Sequence, residues 1–190
     1  MDANLARLTR LVPPPAAGRN KDWEEVRRAV GADLPADYKE FIRTYAGSYW
    51  DDYLYVLEPG CPNRHYDLLA LNAHAMEDLE GLWEYEERPP RLEEPGSRLI
   101  PWAVTDNGET AYWLARPGVP ADRWTVMVNE DGDRWEHADT TCTGFLFAVL
   151  TGEIVCDLFS PHYFPLPEHR CRRLDGAGPA GMTPLSPDTA

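Results

Sequence analysis

LIPWAVTDNGETAYWLA, residues 99–115, consists of two apolar, alternating runs joined at Asn107-Gly108. An Asn-Gly pair between such runs predicts a β-hairpin, because both central residues of a type I′ turn need a positive φ. A two-residue loop would place Trp102 opposite Trp113, and this aromatic pair would help to fix the strand register. The same register pairs Val104 with Ala111 and Asp106 with Glu109.

Helical patterns precede this hairpin and one follows it. Apolar side chains recur at helical spacing in residues 2–12, 22–31, 35–46 and 65–87, and Thr141 begins a last helix. Strands are predicted at 53–57, 124–129 and 134–137, and residues 47–52 are predicted as a turn. This order predicts an α+β fold, a mainly antiparallel sheet with helices packed on one face. The other face is a candidate for an open surface.

The chain divides into three predicted parts. Residues 1–19 are an N-terminal helix and a proline-rich linker, and residues 20–157 form a single α+β domain. Residues 158–190 are rich in proline and glycine, and we expect disorder from about residue 175. Neither a secretion signal nor an apolar run of ~18–20 residues is present, so we expect a cytoplasmic protein without a membrane segment.

Negative charge is concentrated in the middle of the chain. The net charge is −14, and residues 49–157 carry 22 of the 32 acidic but only 7 of the 18 basic side chains. One side of the helix predicted at 65–87 is acidic. Such a surface repels nucleic acid and anionic lipid and attracts basic partners. The alternative is that the charge only keeps the protein soluble.

Motifs of known catalytic chemistry are absent from the sequence. It contains no GxSxG, no phosphate-binding GxxxxGK[ST], no HExxH, and no pair of cysteines with zinc spacing. The acidic run at 129–133 lacks the terminal Glu of a calcium loop, since Thr140 stands at the twelfth position. We therefore predict neither catalytic residues, nor a metal, nor a cofactor. The four cysteines are expected to be reduced.

Tryptophan recurs beside acidic residues near predicted turns. Tryptophans bury large areas and dominate the energetics of protein interfaces, although core packing is the alternative for each of them. The Asp106–Glu109 pair adds two like charges at the hairpin tip, which is either a solvated turn or an acidic contact point for a partner. The predicted partner-binding residues are Trp50, Asp51, Asp52, Asp106, Asn107, Glu109, Glu130, Asp131 and Trp135.

A family pattern runs through about residues 20–157. It comprises Trp23 and Val26, Leu34-Pro35 with Tyr38 and Phe41, Ile100-Pro101, Asp106-Asn107-Gly108, Trp124 with Val126 and Val128, and the helix at 145–150. In this order and spacing the chain resembles the SUKH superfamily of the SMI/KNR type. The resemblance implies an α+β fold without catalysis.

Bacterial domains of this kind act mostly as immunity proteins, which bind and neutralise a toxin that is often a nuclease. The resemblance therefore implies a protein-binding domain whose partner is a basic toxin domain, and neither nucleic acid nor membrane is an expected partner. A second hypothesis is an adaptor or regulator of the same fold without a toxin partner. A third is an enzyme of an unrecognised type, for which a His or Cys with a strongly perturbed pKa in a cleft would be the sign.

Overall fold

The computed structural model describes residues 2–15, 18, 20–130 and 132–174. In chain order it has three helices, two strands, a helix, four strands, a helix and a last strand. The helices are α1 (Ala3–Leu11), α2 (Trp23–Val30), α3 (Ala36–Tyr45), α4 (Leu68–Leu82) and α5 (Cys142–Thr151). The strands are β1 (Ser48–Trp50), β2 (Leu54–Val56), β3 (Arg98–Thr105), β4 (Thr110–Ala115), β5 (Thr125–Glu130), β6 (Arg134–Ala138) and β7 (Cys171–Arg173). Short 3₁₀ helices lie at Arg64–Tyr66, Pro90–Leu92 and Ala121–Arg123.

Local signals in the sequence set the ends of the helices. The Asp22 carboxylate accepts hydrogen bonds from the backbone N–H groups of Glu24 and Glu25, so Asp22 is the N-cap of α2. Gly31 ends this helix in the left-handed region at φ 76°, which glycine adopts without a Cβ penalty. Thr141 is the N-cap of α5, because its hydroxyl accepts a hydrogen bond from the backbone N–H of Gly144. These predicted boundaries are confirmed.

One antiparallel sheet of seven strands connects these elements. Its order is β6-β5-β4-β3-β2-β1-β7, so β3 and β4 of the predicted hairpin lie near the centre. The α+β fold class is confirmed. The prediction of a turn at 47–52 is wrong for residues 48–50, because Ser48–Trp50 pairs with β2 on one side and with β7 on the other.

The register of the central hairpin differs from the prediction by one residue. Val104 pairs with Thr110 rather than with Ala111, and the Thr105 N–H donates to the Glu109 carbonyl at 2.9 Å. The loop therefore has three residues, with Gly108 at φ 108°, the usual arrangement for a three-residue hairpin. A bulge at Trp102 then shifts the pairing again, and Ile100 lies opposite Trp113.

Helices cover both faces of the sheet. On the inner face, Trp102 and Trp113 meet Phe145 of α5 and Tyr38 of α3, and Tyr38 contacts Trp113 edge to face at 4.8 Å between ring centroids. A second apolar cluster on the outer face joins α4 to β3, β4 and β5; its buried members are Leu79, Leu92, Leu99, Tyr112, Leu114 and Met127. The expectation of helices on one face only is therefore corrected.

Both ends of the described chain belong to the same fold. Leu5 and Leu8 of α1 are fully buried in the main core, so this helix is not a separate N-terminal part. Phe159 and Phe164 pack on Tyr53, and β7 extends the sheet beyond β1. The predicted domain end at residue 157 is thus too early by 17 residues, since packing continues to Leu174. The predicted disorder from about residue 175 concerns residues outside the described ranges.

None of the described helices combines the length and the apolar character that a membrane-spanning helix needs.

Candidate functional site

Trp50 lies in the interior rather than at a surface. Its exposed fraction is 0%, and its ring packs on Phe41 and Tyr45 of α3. Its indole N–H donates to the Ser48 hydroxyl at 2.9 Å, so its polar group is also satisfied. The prediction that Trp50 contacts a partner is corrected: it is a core residue on the inner face of β1.

The two acids that follow Trp50 bind the chain's own C-terminal segment. The carboxylate of Asp51, 1% exposed, accepts from the backbone N–H groups of Leu166 at 3.1 Å and Arg170 at 2.8 Å. Asp52 is exposed and forms ion pairs with Arg170 and Arg172. Asp51 is therefore a structural anchor, which corrects its assignment as a contact residue. Asp52 is accessible, but its charge is balanced by two arginines.

Glu109 is buried in the core next to the hairpin loop. Side chains alternate along a strand, so Glu109 lies on the same inner face as Ala111 and Trp113, and 4% of it is exposed. The observed register places Thr105 rather than Asp106 opposite it. Its carboxylate accepts hydrogen bonds from the Tyr53 hydroxyl at 2.7 Å and from the Thr105 hydroxyl. The predicted like-charge pair with Asp106 does not form, and Glu109 is not available to a partner.

Asp106 and Asn107 remain at the exposed tip of the hairpin. Asp106 accepts a hydrogen bond from the Tyr55 hydroxyl at 2.8 Å. Tyr55 stacks between Tyr49 and Tyr66, with ring centroids 4.0 and 4.2 Å apart. Burial, followed by the neighbouring hydroxyls, raises the pKa of Tyr55 well above its usual value, so this hydroxyl stays a donor to Asp106. The structure thereby fixes one carboxylate at the tip.

The turn between β5 and β6 carries the remaining predicted residues. Glu130 is half-buried and pairs with Arg134, while Asp131 lies outside the described residues. Trp135 is half-buried against Trp83 and Tyr112, and its indole N–H donates to the Gly132 carbonyl at 2.9 Å. Trp135 therefore supports the turn more than it presents an indole to solvent.

A groove on the outer face brings the two hairpin tips together with α4. It encloses about 390 Å³ and has apolar walls, among them Leu82 of α4, which is 40% exposed. We call it the α4 groove. Its lining residues are Leu71, Ala75, Asp78, Leu79 and Leu82 of α4, and Pro101, Val104, Gly108, Thr110, Tyr112, Asn129 and Gly132 of the sheet and its turns.

Acidic side chains surround the α4 groove. Asp78 lines it, and the turns that close one end carry Asp106 and Glu130. Further exposed acids follow along α4 and the segment after it, and none of these forms an ion pair with an arginine or lysine within the described ranges. They are Glu77, Glu80, Glu84, Glu86, Glu87, Glu93 and Glu94. The acidic side of α4 was visible in the sequence, but its position beside both hairpin tips depends on the tertiary fold.

The cysteines are poor nucleophiles in this fold. Burial raises the pKa of the Cys156 and Cys171 thiols to about 12, and burial beside Asp37 raises that of Cys142. Thiols with raised pKa values stay protonated at neutral pH, and the thiolate is the reactive form. Within residues 2–174, apart from the gaps, no group of three or more His, Cys, Asp or Glu side chains could hold a metal ion.

The sequence was compared with family models, curated proteins and solved structures. No curated protein and no solved structure matches it. Residues 19–142, about two thirds of the sequence, match the model of the SMI1 / KNR4 family (SUKH-1). The match begins before α2, includes the α4 groove and both hairpins, and ends at the start of α5. The chain therefore belongs to the SMI1/KNR4 (SUKH-1) family.

Proposed function

We propose that this chain is a non-catalytic immunity protein of the cytoplasm, which binds a basic toxin domain through the α4 groove and so neutralises it. Membership in the family is consistent with an immunity or regulatory domain. The acidic border of the groove, around Asp78, Asp106 and Glu130, supports the choice of a basic partner most strongly.

The groove has the composition of a protein interface. Apolar walls from Leu79, Leu82 and Tyr112 offer area that a partner side chain can bury, and Asp78 lines the groove beside them. Apolar contact at the centre supplies most of the affinity of such interfaces, whereas charges at the border speed association and select the partner. The chemistry fits a partner segment with an apolar side chain between lysines or arginines.

The charge of the border also explains how a nuclease would be recognised. A nuclease domain is basic where it holds phosphate, so an acidic surface can occupy the place of nucleic acid. The net charge of −14 extends this attraction beyond the contact itself. An interface of this kind weakens at high ionic strength, because salt screens exposed charges beyond about 10 Å.

A capture experiment with a charge-reversed variant tests the site. Tagged wild-type chain and the triple variant Asp78→Lys, Asp106→Lys, Glu130→Lys are each incubated with lysate of the source cells at low ionic strength. The control variant Glu25→Lys, Asp157→Lys, Glu168→Lys changes the net charge equally, and its three exposed acids lie outside the groove. Bound proteins are identified by mass spectrometry, and circular dichroism checks that each variant is folded.

We expect the wild type and the control variant to capture one basic protein that salt releases, and the groove variant to lose it. Equal capture by both variants would reject the α4 groove as the binding surface. Capture of a partner that is neither basic nor sensitive to salt would favour an adaptor or regulator without a toxin.

A further inference from the structure

A second cleft lies on the outer face of the sheet, at the other end of β4 and β5 from the α4 groove. Leu114 and Thr125, which form a cross-strand pair, lie on its floor, whereas the α4 groove reaches the pair Thr110 and Asn129. The cleft also encloses about 390 Å³. Its lining residues are Arg91, Leu114, Arg116, Val119, Arg123, Thr125, His137 and Asp139, and we call it the arginine cleft.

Three guanidinium groups share this cleft without a matching set of acids. In the described part of the chain, Arg91, Arg116 and Arg123 have no ion-pair partner within 4.0 Å, although the protein carries 32 acidic residues. By contrast, Arg7 pairs with Glu153, and Arg134 pairs with Glu130. Asp139 is the one acid that lines the cleft. The arginine cleft therefore carries a local excess of positive charge, although the protein as a whole is strongly acidic.

The arginines come from three separate segments of the chain. Arg91 belongs to the 3₁₀ helix Pro90–Leu92, Arg116 directly follows β4, and Arg123 ends the 3₁₀ helix Ala121–Arg123. Their convergence on one cleft is a product of the tertiary fold. Like charges that gather in this manner repel each other, so their arrangement favours a bound anion.

We propose that the arginine cleft binds a small phosphate monoester. Guanidinium groups present planar pairs of N–H donors that match phosphate oxygens, so three of them provide a strong site for one phosphoryl group. At its floor, the Thr125 hydroxyl and the His137 Nε2 atom lie 2.9 Å apart and add polar groups. This inference does not depend on the proposed immunity function.

The size and walls of the cleft indicate an ester rather than the bare ion. A volume of about 390 Å³ falls within the range of small-molecule pockets and exceeds what one phosphate fills. Leu114 and Val119 supply apolar wall, and Asp139 can accept a hydrogen bond from a hydroxyl group of the ligand. The remainder of the ligand is therefore uncharged and bears hydroxyl groups, as a sugar does. A polyanion such as nucleic acid is disfavoured by the net charge of −14.

Calorimetric titration of the full chain tests this assignment. The probes are ribose 5-phosphate, ribose, inorganic phosphate and a single-stranded oligonucleotide. The cleft variant is Arg116→Gln, Arg123→Gln. The control variant is Arg28→Gln, Arg64→Gln, which removes two exposed arginines that lack ion pairs in the described chain and lie outside the cleft.

We expect ribose 5-phosphate to bind the wild type and the control variant alike, and the cleft variant at least about tenfold more weakly. Ribose should not bind. Equal affinity of the two variants would overturn the cleft as the site, and no heat of binding at millimolar ester would overturn the proposal itself. Equal affinity for inorganic phosphate would contradict the monoester, and tighter binding of the oligonucleotide would contradict a small ligand. Thermal unfolding of both variants confirms that a loss of binding is not a loss of fold.

Discussion

The Nδ1 atom of His169 lies 2.8 Å from the carboxylate of Asp51, and this contact joins the turn after β1 to the C-terminal segment. Because an ionised carboxylate can only accept, the imidazole donates this hydrogen bond. With the two backbone N–H donors from Leu166 and Arg170, a buried acid holds in place the chain that enters β7.

Asp51→Asn should destabilise the fold by about 2–4 kcal/mol, since a buried acceptor of charge-assisted hydrogen bonds is neutralised while its donors remain. Asparagine tolerates the left-handed backbone at φ 50°, so the change isolates the loss of charge. Chemical denaturation measures the free energy of unfolding. The control Asp52→Asn removes exposed ion pairs and should cost less than about 1 kcal/mol. Equal losses in the two variants would contradict the anchoring role.

Glu109→Ala should also destabilise the protein, by about 2–3 kcal/mol, because it leaves the Tyr53 and Thr105 hydroxyls without their acceptor in the interior. Tyr53→Phe removes one of these donors. In a double-mutant cycle by chemical denaturation, the two changes together should cost clearly less than the sum of their separate effects. Strict additivity would show that the two side chains do not interact.

Gly132→Ala should destabilise the turn beside the α4 groove. Gly132 has a φ of 91°, and a Cβ atom there would lie 2.9 Å from Leu82 Cδ1. Gly60→Ala is the matched control, since Gly60 has a φ of 70° and nothing within 4 Å of the added atom. Each substitution should destabilise the fold by about 1 kcal/mol, because alanine is strained at a positive φ. Gly132→Ala should destabilise it further, and thermal unfolding measures the difference. Adding Leu82→Ala should remove the excess; if the excess persists in that background, the close contact is not its cause.

The protein should lose stability in alkali. Burial raises the pKa of Tyr53 and Tyr112 to about 12, so between about pH 10 and pH 12 the folded state holds protons that the unfolded state has lost. Their stabilising effect is complete below about pH 10 and declines as the pH rises. Urea denaturation across this range should show the decline, and Tyr53→Phe with Tyr112→Phe should make it shallower. An equally steep decline in that variant would show that groups other than Tyr53 and Tyr112 cause the loss of stability.

Removal of a positive neighbour and removal of a negative neighbour should shift the pKa of His137 in opposite directions. Burial lowers this pKa, Arg91 and Arg116 lower it further, and Asp139 raises it. Arg91→Gln should therefore raise the pKa of His137 and Asp139→Asn should lower it, as measured by NMR titration of the ring protons. Since the folded pKa is below the unfolded one, His137 makes the fold less stable as the pH falls below about 6.5. A pKa shift of the same sign in both variants would contradict the opposite effects of Arg91 and Asp139 on His137.

Strong local signals allowed much of the fold to be predicted. The caps at Asp22, Gly31 and Thr141 and the alternation around Asn107-Gly108 depend on neighbouring residues, so they are visible in the sequence. The hairpin register was missed because Asn-Gly fits both a two-residue loop and the three-residue loop observed. That single residue decides whether Asp106 or Thr105 lies opposite Glu109.

The site was harder to predict because distant segments build it. Trp50 resembles a surface residue only if residues 48–50 form a turn rather than β1, which packs on α3. Asp51 resembles one only if the segment before β7 lies outside the fold. The α4 groove needs α4 to lie beside both hairpin tips, and the arginine cleft needs three segments to converge. Pairing by the C-terminal strand has no local signature, since the segment before it is interrupted by prolines.

Growth rescue is the most direct measurement for the proposed immunity function. The basic protein captured by the wild type is expressed in a susceptible host together with the wild type, the groove variant, or the control variant of equal charge. Expression of the captured protein alone should arrest growth, the wild type and the control variant should restore growth, and the folded groove variant should not. Full rescue by the groove variant, or growth unaffected by the captured protein, would contradict the proposed immunity function.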